Sequence, residues 1–186
     1  TEVVVTLGGK QAIFAALMAL IETGDEVLVE DPGWFCFKTI VSLTGGIPKP
    51  IKLHEKDNFL LDVEEIDKQI SKNTKILMLC NPHNPTGSFT EKKVIDKLAA
   101  SLKNFPEVVI LSDEIYDRLI FDKKEIPTFF NYPDLYDRLI VLNGWSKTYA
   151  MTGWRLGWGV WPENLIEHVF KFSVNNHSCV NTSAQY

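Results

Sequence analysis

The sequence predicts an α/β fold with a doubly wound, mostly parallel sheet, and two observations lead to this prediction. Predicted strands and helices alternate along the chain, which is the order expected when helices cross over between parallel strands. The predicted strands are also apolar at consecutive positions, as in Ile76–Leu79, instead of alternating between apolar and polar residues. Consecutive apolar residues are typical of a strand that helices cover on both faces.

The first half of the chain supplies strands and helices in this alternating order. Strand Val3–Leu7 runs into the glycine pair Gly8-Gly9, which precedes the first helix. Glycine and polar residues between the apolar runs mark the turns. The remaining predicted elements are helix Gln11–Glu22, strand Glu26–Glu30, helix Trp34–Leu43, strand Ile47–Lys52, helix Val63–Ile70 and strand Lys75–Cys80.

The second half continues the alternation around one irregular segment, Phe121–Tyr136, which is rich in phenylalanine, proline and tyrosine. Pro162 is expected in the first turn of the last helix, because a proline there loses no helical hydrogen bond. The predicted elements are helix Thr90–Lys103, strands Val108–Leu111, Arg138–Leu142 and Leu156–Val160, and a helix that starts near Pro162.

Composition indicates a single domain with a substantial core and argues against several classes of function. The 186 residues are 45% hydrophobic and carry a net charge of −5. Since no basic stripe is present and no apolar run could span a bilayer, we expect no nucleic-acid partner and no membrane. The three cysteines lack CxxC spacing, so neither a metal site nor a disulfide framework is expected. The cytosol is the predicted compartment.

Lys147 is the first candidate for a chemical role, because it follows a predicted strand. The apolar run Leu139–Leu142 reads as a buried strand, and Ser146 and Lys147 come just after its carboxyl end, where open α/β sheets bind their ligands. Arg155 comes eight residues later, among glycines and aromatic residues that let a planar ligand approach closely. A solvated surface side chain is the alternative interpretation of Lys147.

Three further segments place polar groups after strands or before a helix. Asn84 lies in a loop after the fourth predicted strand, and two prolines and a glycine restrict that loop. Asp113 and Tyr116 follow the fifth predicted strand. The pair Gly8-Gly9 precedes the first helix, where free N–H groups and the helix dipole favour an anion such as phosphate. Together with Lys147, these segments carry the specific motifs of the chain.

The motifs Asn81–Gly87, Ser112–Tyr116 and Ser146–Gly157 resemble those of the class I and II aminotransferases, the fold-type I enzymes that use pyridoxal phosphate. The resemblance covers essentially all 186 residues and points to the prokaryotic type of aspartate aminotransferase and its relatives. It implies that Lys147 forms the Schiff base with the cofactor aldehyde and moves a proton between substrate and cofactor. It further implies that Asp113 pairs with the protonated ring nitrogen.

The same resemblance implies how the rest of the cofactor is held. Tyr116 and Asn84 would hydrogen-bond the phenolic oxygen, and Trp34 would stack on the ring. Trp34 and Asn84 would also contact the substrate carboxylate. Many relatives carry serine or threonine three residues before the lysine; because this chain has Gly144, that side-chain contact to the phosphate is not expected. The implied phosphate contacts are the backbone of Gly9 and Lys10, the Ser146 hydroxyl and the Arg155 guanidinium.

Each of these residues also has an ordinary structural interpretation. Asp113 could cap a helix, which is the commoner task of an aspartate that follows a strand. Tyr116 and Trp34 could be packing residues, and Arg155 could be one partner of a weak surface ion pair.

Members of this family are about twice as long as this chain. We therefore expect residues 1–186 to be the cofactor-binding large domain, without the amino-terminal arm and the carboxy-terminal small domain. In the family those parts supply a phosphate-contacting tyrosine from the neighbouring subunit and the arginine that binds the substrate α-carboxylate. The 186-residue piece by itself is therefore expected to be inactive, and the full-length protein is expected to be a homodimer.

The function predicted is pyridoxal-phosphate-dependent transfer of an amino group between an amino acid and a 2-oxo acid. Two alternatives stay open at this point. A carbon–sulfur lyase of the same fold would use the same residues. An aminotransferase-like effector domain could instead be part of a transcriptional regulator, behind a winged-helix DNA-binding domain.

Overall fold

The computed structural model describes residues 2–122 and 125–185, and these residues form a seven-stranded sheet with helices on both faces. The strands are β1 (Val3–Thr6), β2 (Glu26–Asp31), β3 (Ile47–Lys52), β4 (Thr74–Cys80), β5 (Val109–Asp113), β6 (Leu139–Gly144) and β7 (Gly157–Val160). The α-helices are α1 (Gly9–Leu20), α2 (Cys36–Leu43), α3 (Val63–Gln69), α4 (Lys92–Leu102), α5 (Trp145–Thr148) and α6 (Glu163–His177).

The strand order is β1-β7-β6-β5-β4-β2-β3, and only β7 runs against the others. Strands β3, β2, β4, β5 and β6 pair in parallel, so the prediction of a mostly parallel sheet is confirmed. Because β1 is antiparallel to β7, it points the same way as the parallel strands. The carboxyl ends of six strands therefore meet at one edge of the sheet, which is where ligands bind in such folds.

Two apolar cores, one on each face of the sheet, explain the continuous apolar strands. In β4, Ile76 and Met78 pack in the core that includes α1 and α2, whereas Leu77 and Leu79 pack in the core that includes α3 and α4. Successive side chains of a strand point to opposite faces, so a strand covered on both sides needs an apolar residue at every position.

The structure moves several predicted boundaries by one to three residues. Helix α1 begins at Gly9 rather than Gln11, because Gly8 adopts a φ of 76° and caps it. Helix α2 begins at Cys36 rather than Trp34, and Trp34 instead belongs to the turn that follows β2. Pro162 is the N-cap of α6 and lies just before the first turn.

The irregular segment predicted at Phe121–Tyr136 contains short 3-10 turns at Phe129–Asn131 and from Pro133 onward, while positions 123 and 124 lie outside the described residues. Within residues 2–122 and 125–185, no helix is long and apolar enough to cross a membrane. The same part of the chain contains no group of three or more side chains suited to hold a metal ion.

Candidate active site

A cavity of about 480 Å³ opens at the edge where the parallel strands end. That volume is in the range of small-molecule sites. Five separate segments of the chain contribute to it, which brings together all the residues predicted from the motifs. These residues are Gly9, Lys10, Trp34, Asn84, Asp113, Tyr116, Ser146, Lys147 and Arg155.

Four other residues line the cavity and were not predicted from the sequence. Cys80 ends β4 next to Asp113, its partner in β5, and Ile115 comes two residues after Asp113. The position of Cys80 at a strand end could have indicated it. Ile13 and Thr152 complete the set, and nothing in their local sequence distinguishes them from core and turn residues.

One end of the cavity is built to hold an anion. The backbone N–H groups of Gly9 and Lys10 belong to the first turn of α1, where no helical carbonyl can accept them. The Arg155 guanidinium lies against Gly8 and donates to the carbonyl oxygens of Thr152, at 2.8 Å, and Leu7, at 3.3 Å. Among the described residues Arg155 has no carboxylate partner within 4.0 Å, so the surface ion pair considered for it is absent there. Its charge therefore adds to the dipole of α1.

Close packing of Gly157 fixes the turn at this anion-binding end. A Cβ atom on Gly157 would lie 2.5 Å from the carbonyl carbon of Gly8 and 2.6 Å from the nitrogen of Gly9. Both are backbone atoms, which cannot move aside as the end of a flexible side chain can. Strand β7 therefore determines where the start of α1 lies.

We expect Gly157→Ala to destabilise the protein by about 1–3 kcal/mol, because the methyl group has to displace the backbone of the turn. Urea unfolding measures the change. Gly153→Ala is the matched control, since among the described residues beyond its own chain neighbours nothing lies within 4 Å of the Cβ position at Gly153. The control should change stability by less than about 0.5 kcal/mol. Equal stability of the two variants would contradict the role given to Gly157.

Asp113 provides a buried carboxyl at the floor of the cavity. It is the last residue of β5, and only 7% of it is exposed. Burial raises the pKa of Asp113 to about 6, and the charge of Lys147 acts in the opposite direction. Its Oδ1 accepts the backbone N–H of Ile115 at 3.1 Å. A turn and no helix follows at this point, so the interpretation of Asp113 as a helix cap is wrong.

Asn84 and Tyr116 meet across the cavity although they are far apart in sequence. The Asn84 side-chain amide donates to the Tyr116 hydroxyl oxygen at 3.2 Å. Burial is the main cause that raises the pKa of Tyr116, so its hydroxyl keeps its proton near neutral pH. The Lys147 Nζ lies 5.6 Å from the centroid of the Tyr116 ring. The amine, the hydroxyl and the amide therefore face the same space.

Trp34 forms a wall of the cavity and packs on the core at the same time. Its ring meets that of Phe37 edge to face, with centroids 5.3 Å apart. The Lys10 Nζ lies 5.1 Å from the centroid of the Trp34 ring. Trp34 is therefore a packing residue where its ring contacts Phe37, and it also lines the cavity.

The packing around Gly144 accounts for the absence of a side chain three residues before Lys147. A Cβ atom on Gly144 would lie 2.9 Å from the carbonyl oxygen of Leu156 and 3.1 Å from the Cα of Gly157. Serine or threonine would crowd the backbone of β7, which pairs with β6 at this point.

Glu114 is a buried carboxyl that faces away from the cavity. Its Oε1 accepts the hydroxyls of Ser112, at 3.1 Å, and Thr128, at 2.9 Å. Burial raises the pKa of Glu114 to about 7. Because Thr128 belongs to the segment after β5, Glu114 ties that segment to the sheet.

Comparison with known proteins identifies the family. The family described as aminotransferase class I and II matches residues 1–186. The chain belongs to this family. It is 39% identical to an aspartate aminotransferase of Sulfurisphaera tokodaii over 99% of this chain and 46% of that protein. The fold and family predicted from the motifs are thereby confirmed.

Solved structures of family members agree with the fold. The aspartate aminotransferase of Rhizobium meliloti superimposes with a TM-score of 0.96 at 32% identity, covering 99% of this chain and 46% of that one. The aromatic aminotransferase of Pyrococcus horikoshii gives a TM-score of 0.95 at 36% identity, covering 100% of this chain and 50% of that one. The chain thus spans about half the length of the relatives it matches. The roles of the individual site residues stay predictions.

Proposed function

We propose that the protein is a pyridoxal-phosphate-dependent aminotransferase that moves an amino group between an amino acid and a 2-oxo acid. One observation carries the proposal: a single cavity combines an anion site, a buried carboxyl and a lysine amine. We further propose that residues 1–186 are the cofactor-binding domain, since the matched relatives are about twice as long. The whole protein is proposed to be a homodimer, as the resemblance to the family implies.

The residues around the cavity fit the chemical groups of pyridoxal phosphate. The first turn of α1 and Arg155 suit the phosphate, because N–H dipoles and a planar guanidinium both form charge-assisted hydrogen bonds. Asp113, at the floor, suits a protonated ring nitrogen. When bound, the cofactor supplies an aldehyde that condenses with amines and a ring that withdraws electrons from the carbon bonded to the substrate nitrogen.

Asp113 would maintain the positive charge on the ring. Burial disfavours the ionised carboxylate of Asp113, and a cation beside it restores the charged form. The paired carboxylate in turn favours the protonated ring nitrogen. Neither group is well solvated there, so each would stabilise the charge of the other.

Tyr116, Asn84 and Trp34 would orient the ring. The Tyr116 hydroxyl keeps its proton and can donate it to the phenolic oxygen. Asn84 donates one amide proton to the Tyr116 hydroxyl and has a second for the phenolic oxygen. Trp34 would cover one face of the ring and exclude water. Trp34 and Asn84 are also proposed to contact the substrate carboxylate.

Lys147 would hold the cofactor covalently and then act as the base. The Lys147 amine would bond to the cofactor aldehyde, and its Nζ would take a proton from the substrate Cα and return it to the cofactor carbon. Because the amine is tethered in the cavity, the transfer requires no diffusional encounter.

Reduction with borohydride tests the attachment at Lys147. In the intact protein loaded with pyridoxal phosphate, reduction should leave the pyridoxyl label on the peptide that contains Lys147. Lys147→Arg is the control and should remain unlabelled, since a guanidinium stays protonated and does not condense with the aldehyde. A label on Lys10, or one spread over surface lysines, would contradict the assignment.

Products distinguish amino transfer from elimination. The intact protein should convert an amino acid and a 2-oxo acid into the corresponding pair with no release of ammonia. Aspartate and aromatic amino acids are the first donors to test, because the matched relatives include aminotransferases of both kinds. Stoichiometric ammonia from a sulfur amino acid would instead indicate a lyase.

A further inference from the structure

Glu30 is a buried carboxyl behind the cavity that the proposed reaction does not use. It lies in β2 and is 3% exposed. Its Oε2 accepts the backbone N–H of Cys80, the last residue of β4, at 2.8 Å. The side chain of one strand thus binds the end of the next strand, where the chain leaves the sheet toward Asn84.

His83 faces the same carboxyl from the loop that carries Asn84. Its Nε2 lies 3.7 Å from the Oε2 of Glu30 and has no hydrogen-bond partner among the described residues. Its Nδ1 lies 2.7 Å from the Thr86 hydroxyl. Burial lowers the pKa of His83, with the backbone of Pro32 acting in the opposite direction. In a neutral imidazole, Nε2 either carries the proton and needs an acceptor, or lacks it and needs a donor. The Glu30 carboxyl is the group that Nε2 faces.

The main chain of Glu30 also supports the turn that presents Trp34. A Cβ atom on Gly33 would collide with the carbonyl oxygen of Glu30, so this turn folds directly onto the backbone of Glu30. Glu30 therefore lies between the two loops that hold Trp34 and Asn84 in the wall of the cavity.

We propose that Glu30 is a positioning residue: its carboxyl accepts the N–H of Cys80, lies 3.7 Å from the His83 ring, and sets the loop that presents Asn84 to the cofactor. The inference rests on the proposed function. The groups that face Glu30 are the Cys80 thiol and N–H from β4, the His83 ring from the next loop, and the Asp113 carboxyl from β5. A carboxylate in this place would stand near Asp113, and no lysine or arginine among the described residues pairs with it.

The protonation state of Glu30 follows from these surroundings. Burial raises the pKa of Glu30 to about 8, the Cys80 N–H lowers it, and the charge of Asp113 raises it further. At pH 7 the group is therefore mainly a neutral acid. A neutral acid can accept the N–H of Cys80, and it places a neutral group instead of a charge beside the His83 ring, 3.7 Å away.

Two substitutions of Glu30 distinguish a neutral side chain that acts through hydrogen bonds from one that acts through its charge. Glu30→Gln keeps an acceptor for Cys80 and adds an N–H donor for His83, so the dissociation constant for pyridoxal phosphate should stay within about threefold of the wild type. Glu30→Leu leaves the Cys80 N–H and the His83 ring unpaired and should weaken cofactor binding by at least about tenfold. Glu114→Gln, at the buried carboxyl that faces away from the cavity, is the control and should bind like the wild type.

The ring nitrogens of His83 give a measurement that does not need the cofactor. In the intact apoprotein, nitrogen-15 chemical shifts should show the same tautomer in wild type and Glu30→Gln, and a change in Glu30→Leu. Failure of the wild type to bind pyridoxal phosphate would overturn the proposed function, whereas these shifts would still support the Glu30–His83 pair. Unchanged shifts and unchanged cofactor binding in Glu30→Leu would overturn the positioning role. Equal loss of binding in Glu30→Gln and Glu30→Leu would overturn it too.

The pH dependence of stability tests whether Glu30 is neutral, even if Glu30→Leu does not fold. The folded pKa of Glu30 is raised from 4.5 to about 8, so wild-type stability is lost as pH rises through that window. Glutamine cannot ionise, and the melting temperature of Glu30→Gln should exceed that of the wild type by a margin that grows up to about pH 8 and then stays constant. Glu114 is common to both proteins and cancels in the comparison, whereas the charge of Asp113 acts on Glu30 and adds to the margin in the wild type. Parallel profiles from pH 5 to 9 would contradict a neutral Glu30.

Discussion

Replacing Lys147 with alanine is expected to lower the turnover number of the intact protein by at least about 10⁴-fold, because the change removes both the amine that binds the cofactor and the proposed base. The Lys147 Nζ faces the cavity beside the Tyr116 ring, and its charge acts on the Asp113 carboxyl. A coupled assay for the 2-oxo acid product measures the loss. Circular dichroism and the melting temperature establish that the variant is folded.

Lys147→Arg separates the reactivity of the amine from its charge. Arginine keeps a cation beside Tyr116 and Asp113, but its guanidinium stays protonated and cannot serve as a base at neutral pH. We expect this variant to be as inactive as Lys147→Ala. Lys92→Ala is a surface control, since Lys92 pairs with Asp96 in an exposed i,i+4 contact and does not line the cavity. Turnover by Lys147→Arg within tenfold of the wild type would mean that Lys147 contributes its charge alone.

Asp113→Asn should have opposite effects on activity and on stability. Asparagine is neutral, so it cannot balance a protonated ring nitrogen in the transition state. Loss of that interaction should raise the activation free energy by about 3–4 kcal/mol, which lowers the turnover number on the order of 10²–10³-fold. The geometry of the turn should survive, because the asparagine carbonyl can still accept the N–H of Ile115. Turnover is measured with saturating cofactor in the intact protein.

The stability of the apoprotein should rise with the same substitution. Burial raises the pKa of Asp113 from 3.8 to about 6 in the folded state. The contribution of this group to stability is therefore present below about pH 4 and is lost as pH rises to about 6. Asparagine does not ionise, so the variant should be more stable than the wild type at pH 7.5 by up to about 3 kcal/mol, with the difference vanishing near pH 4. Urea unfolding of the apoprotein at the two pH values measures it.

Glu114→Gln is the matched control for Asp113→Asn. Burial raises the pKa of Glu114 to about 7, so its replacement should also stabilise the protein near neutral pH. Since Glu114 contacts Ser112 and Thr128 and does not line the cavity, turnover should stay near the wild-type value. Near-normal turnover of Asp113→Asn would show that another group holds the ring nitrogen.

The order of strands and helices, the family, and nine of the thirteen residues that line the cavity could be predicted from the sequence. Asn84, Asp113 and Lys147 each follow a continuous apolar run, and such runs form parallel strands covered on both faces. Parallel strands have their carboxyl ends at one edge of the sheet, so the local sequence predicts that these side chains lie along the same edge. The motifs that contain these three residues therefore predict a single site.

Only the tertiary structure decided which strands are neighbours. Strand β7 runs against the others and pairs with both β1 and β6, and this places Gly157 against the Gly8-Gly9 turn that starts the anion site. Glu30 and His83 meet because β2 lies beside β4, although β3 separates these strands in sequence. Strand order depends on how helices of particular size fill both faces of the sheet, which is a property of the whole chain. The residues that support the site from behind therefore became apparent only when the strands were placed side by side.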